Sequence, residues 1–314
     1  MLKNIHEICG IDPIDTIATP MTADHHAAPP FNPYLALVSG VLAVSTGAIF
    51  ARLADAPALV IAAYRVGLAS LVLAPFAWFK VRHEIRRLSG REFGLAVTAG
   101  FFLALHFATW ISSLNYTSVA NSVVLVNTNP LWVGLLTPFV TGERIKPLVA
   151  LSIGISVIGG AIIGAGDFAL GKDALLGDGL ALAGSICAAV YLLLGRNLRR
   201  RLSLLAYVMV CYGSAAVILW VIVLALRLPM TGFSPQTYAC FWGLALVSQI
   251  IGHSSYNWAL RWLSTSLIAI SLLGEPICAT ILAYFLFDEG LSWSKFIGGA
   301  LILSAIYLAA KTEN

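Results

Sequence analysis

Charge is what this chain has least of. Asp, Glu, Lys and Arg together make up 11% of its 314 residues, against about 25% in soluble globular proteins. Hydrophobic side chains account for 59%, which leaves too little polar surface to coat a water-soluble fold. Cysteine is scattered: Cys9, Cys187, Cys211, Cys240 and Cys278 form no CxxC pair and no Cys/His pattern with metal-ligand spacing. That argues against a disulfide framework and a zinc site, and buried structural thiols are expected. HExxH, P-loop and GxSxG motifs are missing as well. The "GAGD" at 164–167 matches half of an intramembrane aspartyl protease pattern, but no second mid-span Asp partners Asp167. Neither an enzyme nor a resident cofactor or metal is expected. The net charge of +4 implies no nucleic-acid partner, because the basic residues are punctuation between apolar runs.

Apolar runs of roughly 20 residues recur along the chain, the length that crosses about 30 Å of hydrocarbon. Ten are predicted, near 33–53, 57–79, 93–114, 118–140, 147–165, 176–195, 203–226, 236–258, 264–287 and 291–310. The expected fold class is an all-α polytopic membrane protein of ten transmembrane helices. Residues 1–32 lack the 7–15-residue apolar core of a signal peptide and read as a disordered cytoplasmic leader, with His25 and His26 solvated in it.

Placing the N-terminus inside puts fourteen of the 19 Lys and Arg residues on the cytoplasmic side, among them the "KVRHEIRR" and "GRNLRRR" clusters. Only Arg52, Lys172, Arg227 and Lys295 fall on the other side, with Arg65 inside a span. Such a bias sets orientation. Both termini are therefore expected in the cytoplasm, and the protein in a bacterial inner membrane.

The chain also repeats itself. Laying "NTNPLWVGLLTPFVTGER" (127–144) over "LGEPICATILAYFLFDEG" (273–290) aligns Pro130 with Pro276 and Glu143 with Glu289, both 146 residues apart. Trp110 then meets Tyr256, and Gly67 meets Gly213, at the same offset. Gly40 meets Gly184 and Arg52 meets Arg196 at an offset of 144. Two five-helix repeats follow, 33–165 and 176–311. Five is odd, so the second enters the membrane inverted, an architecture that suits alternating access around a midplane site.

Ionisable residues inside a membrane are costly and mark function. Arg65, His106, His253 and Glu275 are the clearest. Helical spacing puts His106, Thr109, Trp110 and Ser113 on one face of the third span, and Gln249, His253, Tyr256 and Leu260 on one face of the eighth. Trp110 and Tyr256 are placed to sandwich a substrate by stacking or cation–π contact, with plain bundle packing as the alternative. The fourth span carries Asn121, Asn127, Thr128 and Asn129, too many polar groups to face lipid. Asn127 reads as helix glue and Asn129 as cavity lining. An Arg65–Glu275 interaction, direct or through water, is expected to break on binding of substrate or a proton. Ser156, Gly160 and Gly164 form a small-residue seam for a neighbouring helix, in this chain or in a second subunit.

"YRVGLASLVL", "HFATWISSLNYTSVANSVVLVNTNPLWVGLLTPFVTGERI" and "YNWALRWLSTSLIAISLLGEPICATILAYFLFDEGLS" resemble the drug/metabolite transporter superfamily, in its ten-helix EamA-type branch, from 33 to 311. The resemblance implies a secondary transporter with a central cavity ringed by spans one to four and six to nine. It implies a small-molecule substrate and a lipid bilayer as partners. One departure is "DEG" at 288–290, where the first repeat has Glu143 and Arg144.

The resulting expectation is a gradient-driven or facilitative carrier of small polar metabolites, foremost amino-acid efflux by alternating access. His106, Trp110, Asn129, Gln249, His253, Tyr256 and Glu275 would bind substrate, with Arg65 and Glu275 as the coupling pair and a proton or cation as the coupling partner. Uptake or exchange of a larger nucleotide-like metabolite, and a non-transporting receptor or scaffold, are the alternatives.

Overall fold

The computed structural model describes residues 29–117, 119–140, 144–164, 172–287 and 293–312. Among them every regular element is helical. In chain order these are α1 (Pro33–Ser45), α2 (Gly47–Leu53), α3 (Ala58–Lys80), α4 (Arg82–Arg86), α5 (Gly90–Ser113), α6 (Val119–Val126), α7 (Asn129–Val140), α8 (Pro147–Gly164), α9 (Lys172–Arg199) and α10 (Leu204–Ala225). A helix of α11 (Pro235–Gly243), a π-helical stretch (Leu244–His253) and α12 (Ser254–Ala259) follows, then α13 (Thr265–Leu272), α14 (Gly274–Phe287) and α15 (Trp293–Ala310).

Local chemistry sets the helix starts. Ser89 accepts from the Glu92 amide while Glu92 reaches back to the Ser89 amide, a capping box that begins α5 at Gly90, three residues before the expected boundary. Ser203, Ser234 and Ser264 cap α10, α11 and α13 through the amides of Ala206, Thr237 and Leu267. The α9 helix runs on to Arg199, four residues past its expected end. The cause is tertiary: Arg196 and Arg199 both donate to backbone carbonyls of residues 257–263.

Among the described residues six segments are long and apolar enough to cross a membrane: Pro33–Leu53, Ala58–Lys80, Gly90–Ser113, Ser122–Val140, Leu175–Arg199 and Leu204–Ala225. Pro147–Ile162, Thr265–Cys278 and Phe296–Ala310 are apolar but shorter. The outside of the bundle is hydrocarbon-like, with Leu71, Phe79, Phe139, Val217, Phe285 and Phe296 all exposed. A soluble surface does not carry so many large apolar groups together.

Three predicted spans are interrupted, the first of them at Thr46 between α1 and α2. The fourth span turns at Asn127 and Thr128 between α6 and α7, and the ninth turns at Leu273 between α13 and α14. Pro130 and Pro276 consequently lie in the first turn of α7 and α14, where a missing N–H costs no helix bond. Prolines that look like defects in continuous spans are helix starters here.

The packing has a pairwise pattern. α9 lies against α5 and against α6 and α7, as α1 lies against the π stretch with α12 and against α13 and α14. α3 packs on α10, and α8 packs on α15. Of the seam predicted on α8, Gly160 lies in ordinary contact with Leu273 and Val124 of the same chain, and the closest helix approach falls one residue earlier, where a methyl on Gly159 would lie 2.8 Å from the Gly298 carbonyl. Asp167, Asn121's side chain and the 288–290 stretch lie outside the described residues.

Candidate functional site

Where the breaks in the fourth and ninth spans face the centre of the bundle, a narrow cavity of about 40 Å³ opens. Its walls come from both halves of the chain. α3 contributes Arg65, α5 contributes His106 and Trp110, and the α6–α7 break contributes Asn127 and Asn129. From the other half come Tyr191, His253, Tyr256 and Glu275. Val44, Val126, Ala188, Leu192 and Leu272 supply the apolar remainder.

Arg65 is 1% exposed. Its Nε donates to Gln249 Oε1 at 2.8 Å, and its Cζ lies 4.0 Å from the centre of the Phe107 ring. The indole of Trp110 is 5.9 Å away. Nη1 and Nη2 have no hydrogen-bond partner. The guanidinium is thus held along one edge and by one face, with its other edge unused. Gly47 makes room for it, since a methyl there would come within 3.4 Å of Nη1 and 3.6 Å of Trp110.

Glu275 stands in the first turn of α14, where a helix N-terminus favours negative charge. It is 6% exposed. Its Oε2 accepts from Asn127 Nδ2 at 3.3 Å, while the same amide donates to Val123 O at 2.8 Å. No hydrogen bond joins Glu275 to Arg65, although its carboxylate acts on Arg65 through space. Of the expected interaction, direct or through water, the direct form is not made, and the two groups are held separately in one cavity.

The aromatic groups form a continuous chain. Trp110 stacks on His106 at 6.0 Å, His106 lies 6.4 Å from His253, and His253 lies 5.4 Å from Tyr256 and 6.2 Å from Tyr191. Two histidines therefore stand in the series that links Trp110 to Tyr256. His106 Nδ1 donates to Gly184 O at 3.0 Å, which leaves Nε2 as the acceptor nitrogen of the neutral ring. Tyr256 OH donates to Gly40 O at 3.1 Å. A methyl on Gly40 would lie 2.7 Å from the Tyr256 ring. Its repeat-related partner Gly184 sits against Thr109 and Trp110 in the same way.

Seven of the eight predicted site residues line the cavity. Gln249 does not: it is fully buried behind Arg65 and orients it. Arg65 stands between Gln249 and the cavity, bonded to its amide oxygen, and residues 244–253 are π-helical, a geometry that recurs at functional sites. Asn127, read as helix glue, bonds within its own helix and also lines the cavity beside Glu275. Tyr191 was missed altogether, hidden in an apolar "YLLL" run with no periodic polar signal. Its hydroxyl accepts from Asn257 Nδ2, which also donates to the Tyr212 hydroxyl, and Arg199 Nε donates to Asn257 O. That chain forms a floor under one end of the cavity.

A closed helical bundle with an apolar exterior, a buried polar cavity at its centre and walls drawn from both halves is the architecture of a membrane transporter. Residues 32–165 and 175–311 each match the EamA-like transporter family, and the chain belongs to that family. Two proteins of Archaeoglobus fulgidus described as uncharacterized transporters are similar to it. One is 26% identical over 81% of this chain and 88% of its own length, the other 25% identical over 87% and 94%. An uncharacterized transporter of Clostridium kluyveri is 22% identical over 74% of this chain and 77% of its own. A crystal structure 18% identical in sequence superposes with a TM-score of 0.73, covering 90% of this chain and 99% of the other, which shows the fold.

Proposed function

We propose that this protein is a secondary transporter that moves small polar metabolites, foremost an amino acid or a similar solute, out of a bacterial cell by alternating access. It crosses the inner membrane in ten segments, as inverted five-helix repeats spanning 33–165 and 176–311, with both termini in the cytoplasm. The observation that carries the reading is the central cavity, built equally from both halves and left with unpartnered polar atoms at Arg65, Trp110, Asn129 and His253. Polar atoms buried without partners are rare in folded proteins unless something visits them.

The inverted repeat is supported by the constant sequence offset, the pairwise packing and the matching breaks at Asn127–Thr128 and Leu273. It is supported further by two arginines at matching positions. Arg196 Nη1 donates to Leu260 O at 2.6 Å and Leu263 O at 2.7 Å. Arg52 Nη1 reaches Leu114 O, the counterpart of Leu260, at 3.5 Å. One clasp is tight and the other slack. On the tight side Phe31 stacks on Trp258 at 4.0 Å. On the slack side a recess of about 340 Å³ is lined by Arg52, Leu114 and Asn115 among others. In the transport cycle the two clasps exchange roles, the Arg196 clasp closing the cytoplasmic end and the Arg52 clasp the outer end.

Glu275, facing Asn129's position in the other half, is the coupling group. Protonation or substrate binding changes its hold on Asn127, which sits on the break in the fourth span. Inside-out vesicles, whose outer face is the cytoplasmic one, supplied from the medium with a labelled amino-acid mixture test the reading. Export-direction flux that needs the cavity residues is expected, and absence of flux for any solute under any gradient refutes it.

A further inference from the structure

We propose that the cavity recognises its substrate through a carboxylate, and that Arg65 is the residue that binds it. The inference rests on the transporter reading above and names the substrate class for that site.

Arg65 is the starting point because its surroundings are finished on every side but one. Gln249 takes Nε and the Phe107 face takes the cation, while Nη1 and Nη2 are buried with no partner. The Trp110 indole N–H, on the same wall, is buried and unpartnered too. Three nitrogen donors of one wall thus lack an acceptor. The anion already present in the cavity does not supply it, because Glu275 is engaged with Asn127 and makes no hydrogen bond to Arg65. A guanidinium edge offers two parallel N–H bonds, the geometry that fits a carboxylate.

The remainder of the cavity narrows the class. Among the described residues Arg65 is the sole Lys or Arg lining it, and Glu275 lines it too, so a singly charged anion fits better than a phosphate or nucleotide with two or more charges. Asn129 Oδ1 and His253 Nδ1 are unpartnered within the same cavity. An amino or hydroxyl substituent on the substrate meets that need, so 2-amino and 2-hydroxy acids share the chemistry. The rings of Trp110, His106, His253, Tyr191 and Tyr256 accept an apolar remainder.

The test uses purified full-length protein and a series on one carbon skeleton: L-leucine, 2-hydroxy-4-methylpentanoate, 4-methylpentanoate, L-leucinamide and isoamylamine, with the phenylalanine series run in parallel. Affinities are read by titration calorimetry and thermal shift. Compounds that keep the carboxylate are expected to bind at least roughly 100-fold more tightly than the amide or amine, because a site built for a hydrogen-bonded group rejects analogues lacking it. Arg65→Lys should keep part of that preference and Arg65→Gln should lose it. Equal binding of acid, amide and amine, or an undiminished acid preference in Arg65→Gln, overturns the proposal. Should Arg65→Gln fail to fold, the ligand series on the native protein decides alone. Flux of the same compounds into proteoliposomes separates the two claims. Movement of amines but not acids refutes carboxylate recognition and leaves transport standing, whereas no movement of any compound refutes transport itself. Preference of the amino over the hydroxy acid, or the reverse, assigns the second substituent.

Discussion

Removing Arg196 should release one end of the bundle and leave the other unchanged. In the native protein its Nη1 bridges the carbonyls of Leu260 and Leu263 at 2.6 and 2.7 Å, at the C-terminal end of α12 where those carbonyls have no helical partner. A hydrogen bond from a charged donor contributes about 1.5–3 kcal/mol. The site is half-buried, so the lower figure applies, and two bonds then amount to about 3 kcal/mol. At 1.4 kcal/mol per factor of ten, the opening equilibrium of that end shifts by roughly 100-fold. Amide hydrogen exchange followed by mass spectrometry reads the change directly. In Arg196→Ala the peptides covering 196–204 and 258–264 should lose about two orders of magnitude of protection. The peptide covering 112–117, at the Arg52 clasp, should hold its protection or gain some, as the proposed alternation of the two ends requires. Arg196→Lys, which keeps one donor point, should fall between. Equal loss of protection at both ends would mean general destabilisation, and no loss at 258–264 would mean that the clasp holds nothing shut. Either result removes the gating argument.

Glu275→Gln should abolish pH-dependent transport while expression stays intact, and a pH dependence unchanged in vesicles would remove Glu275 from coupling. Trp110→Ala should weaken substrate binding by about tenfold, the scale of a lost aromatic face with its cation–π contact; an unaltered affinity assigns Trp110 to packing alone. Gly100→Ala should destabilise the α5–α10 contact by about 1–3 kcal/mol, because the added methyl collides with the Cys211 carbonyl and the Ser214 side chain and a backbone cannot swing aside. Gly94→Ala, with nothing within 4 Å, should be neutral or stabilising by up to about 1 kcal/mol. Thermal melts in detergent that fail to rank the two this way would refute the packing account.

The two halves share a backbone plan and differ in their chemistry. Arg65 corresponds to Cys211, Asn129 to Glu275 and Phe107 to His253 at the offset of 146. Gly47 corresponds to Tyr191 at the offset of 144. The exchange is complementary: where one half has Gly47 and Arg65, the other has Tyr191 and Cys211, so a small residue leaves space for the large one. A site of this kind cannot be symmetric about its ligand even though the scaffold around it nearly is.

Much of the candidate site was legible from residue types alone. Arg65, His106, His253 and Glu275 stand out because ionisable side chains in apolar spans are costly and must meet protein or water. The repeat offset likewise marked Pro130 and Pro276 as features of both halves. Gln249 and Tyr191 were not legible in the same way. The place of Gln249 depends on Arg65, 184 residues away, coming within 2.8 Å of its amide oxygen, which no local pattern in "LALVSQIIGH" announces. Tyr191 reads as one more apolar residue until its hydroxyl is seen against Asn257.

Membrane residence, helical class and the doubled plan were settled by composition and periodicity, since a bilayer admits few backbone solutions and each leaves a long-range pattern. The pairing of charges was settled only by packing. Arg65 and Glu275 looked like natural partners, but each is captured by a nearer amide, Gln249 and Asn127, brought in by helices 184 and 148 residues away in sequence. Side-chain hydrogen bonds act over about 3 Å. Which of several polar groups comes within that distance depends on how the helices cross and break, and linear spacing does not contain it.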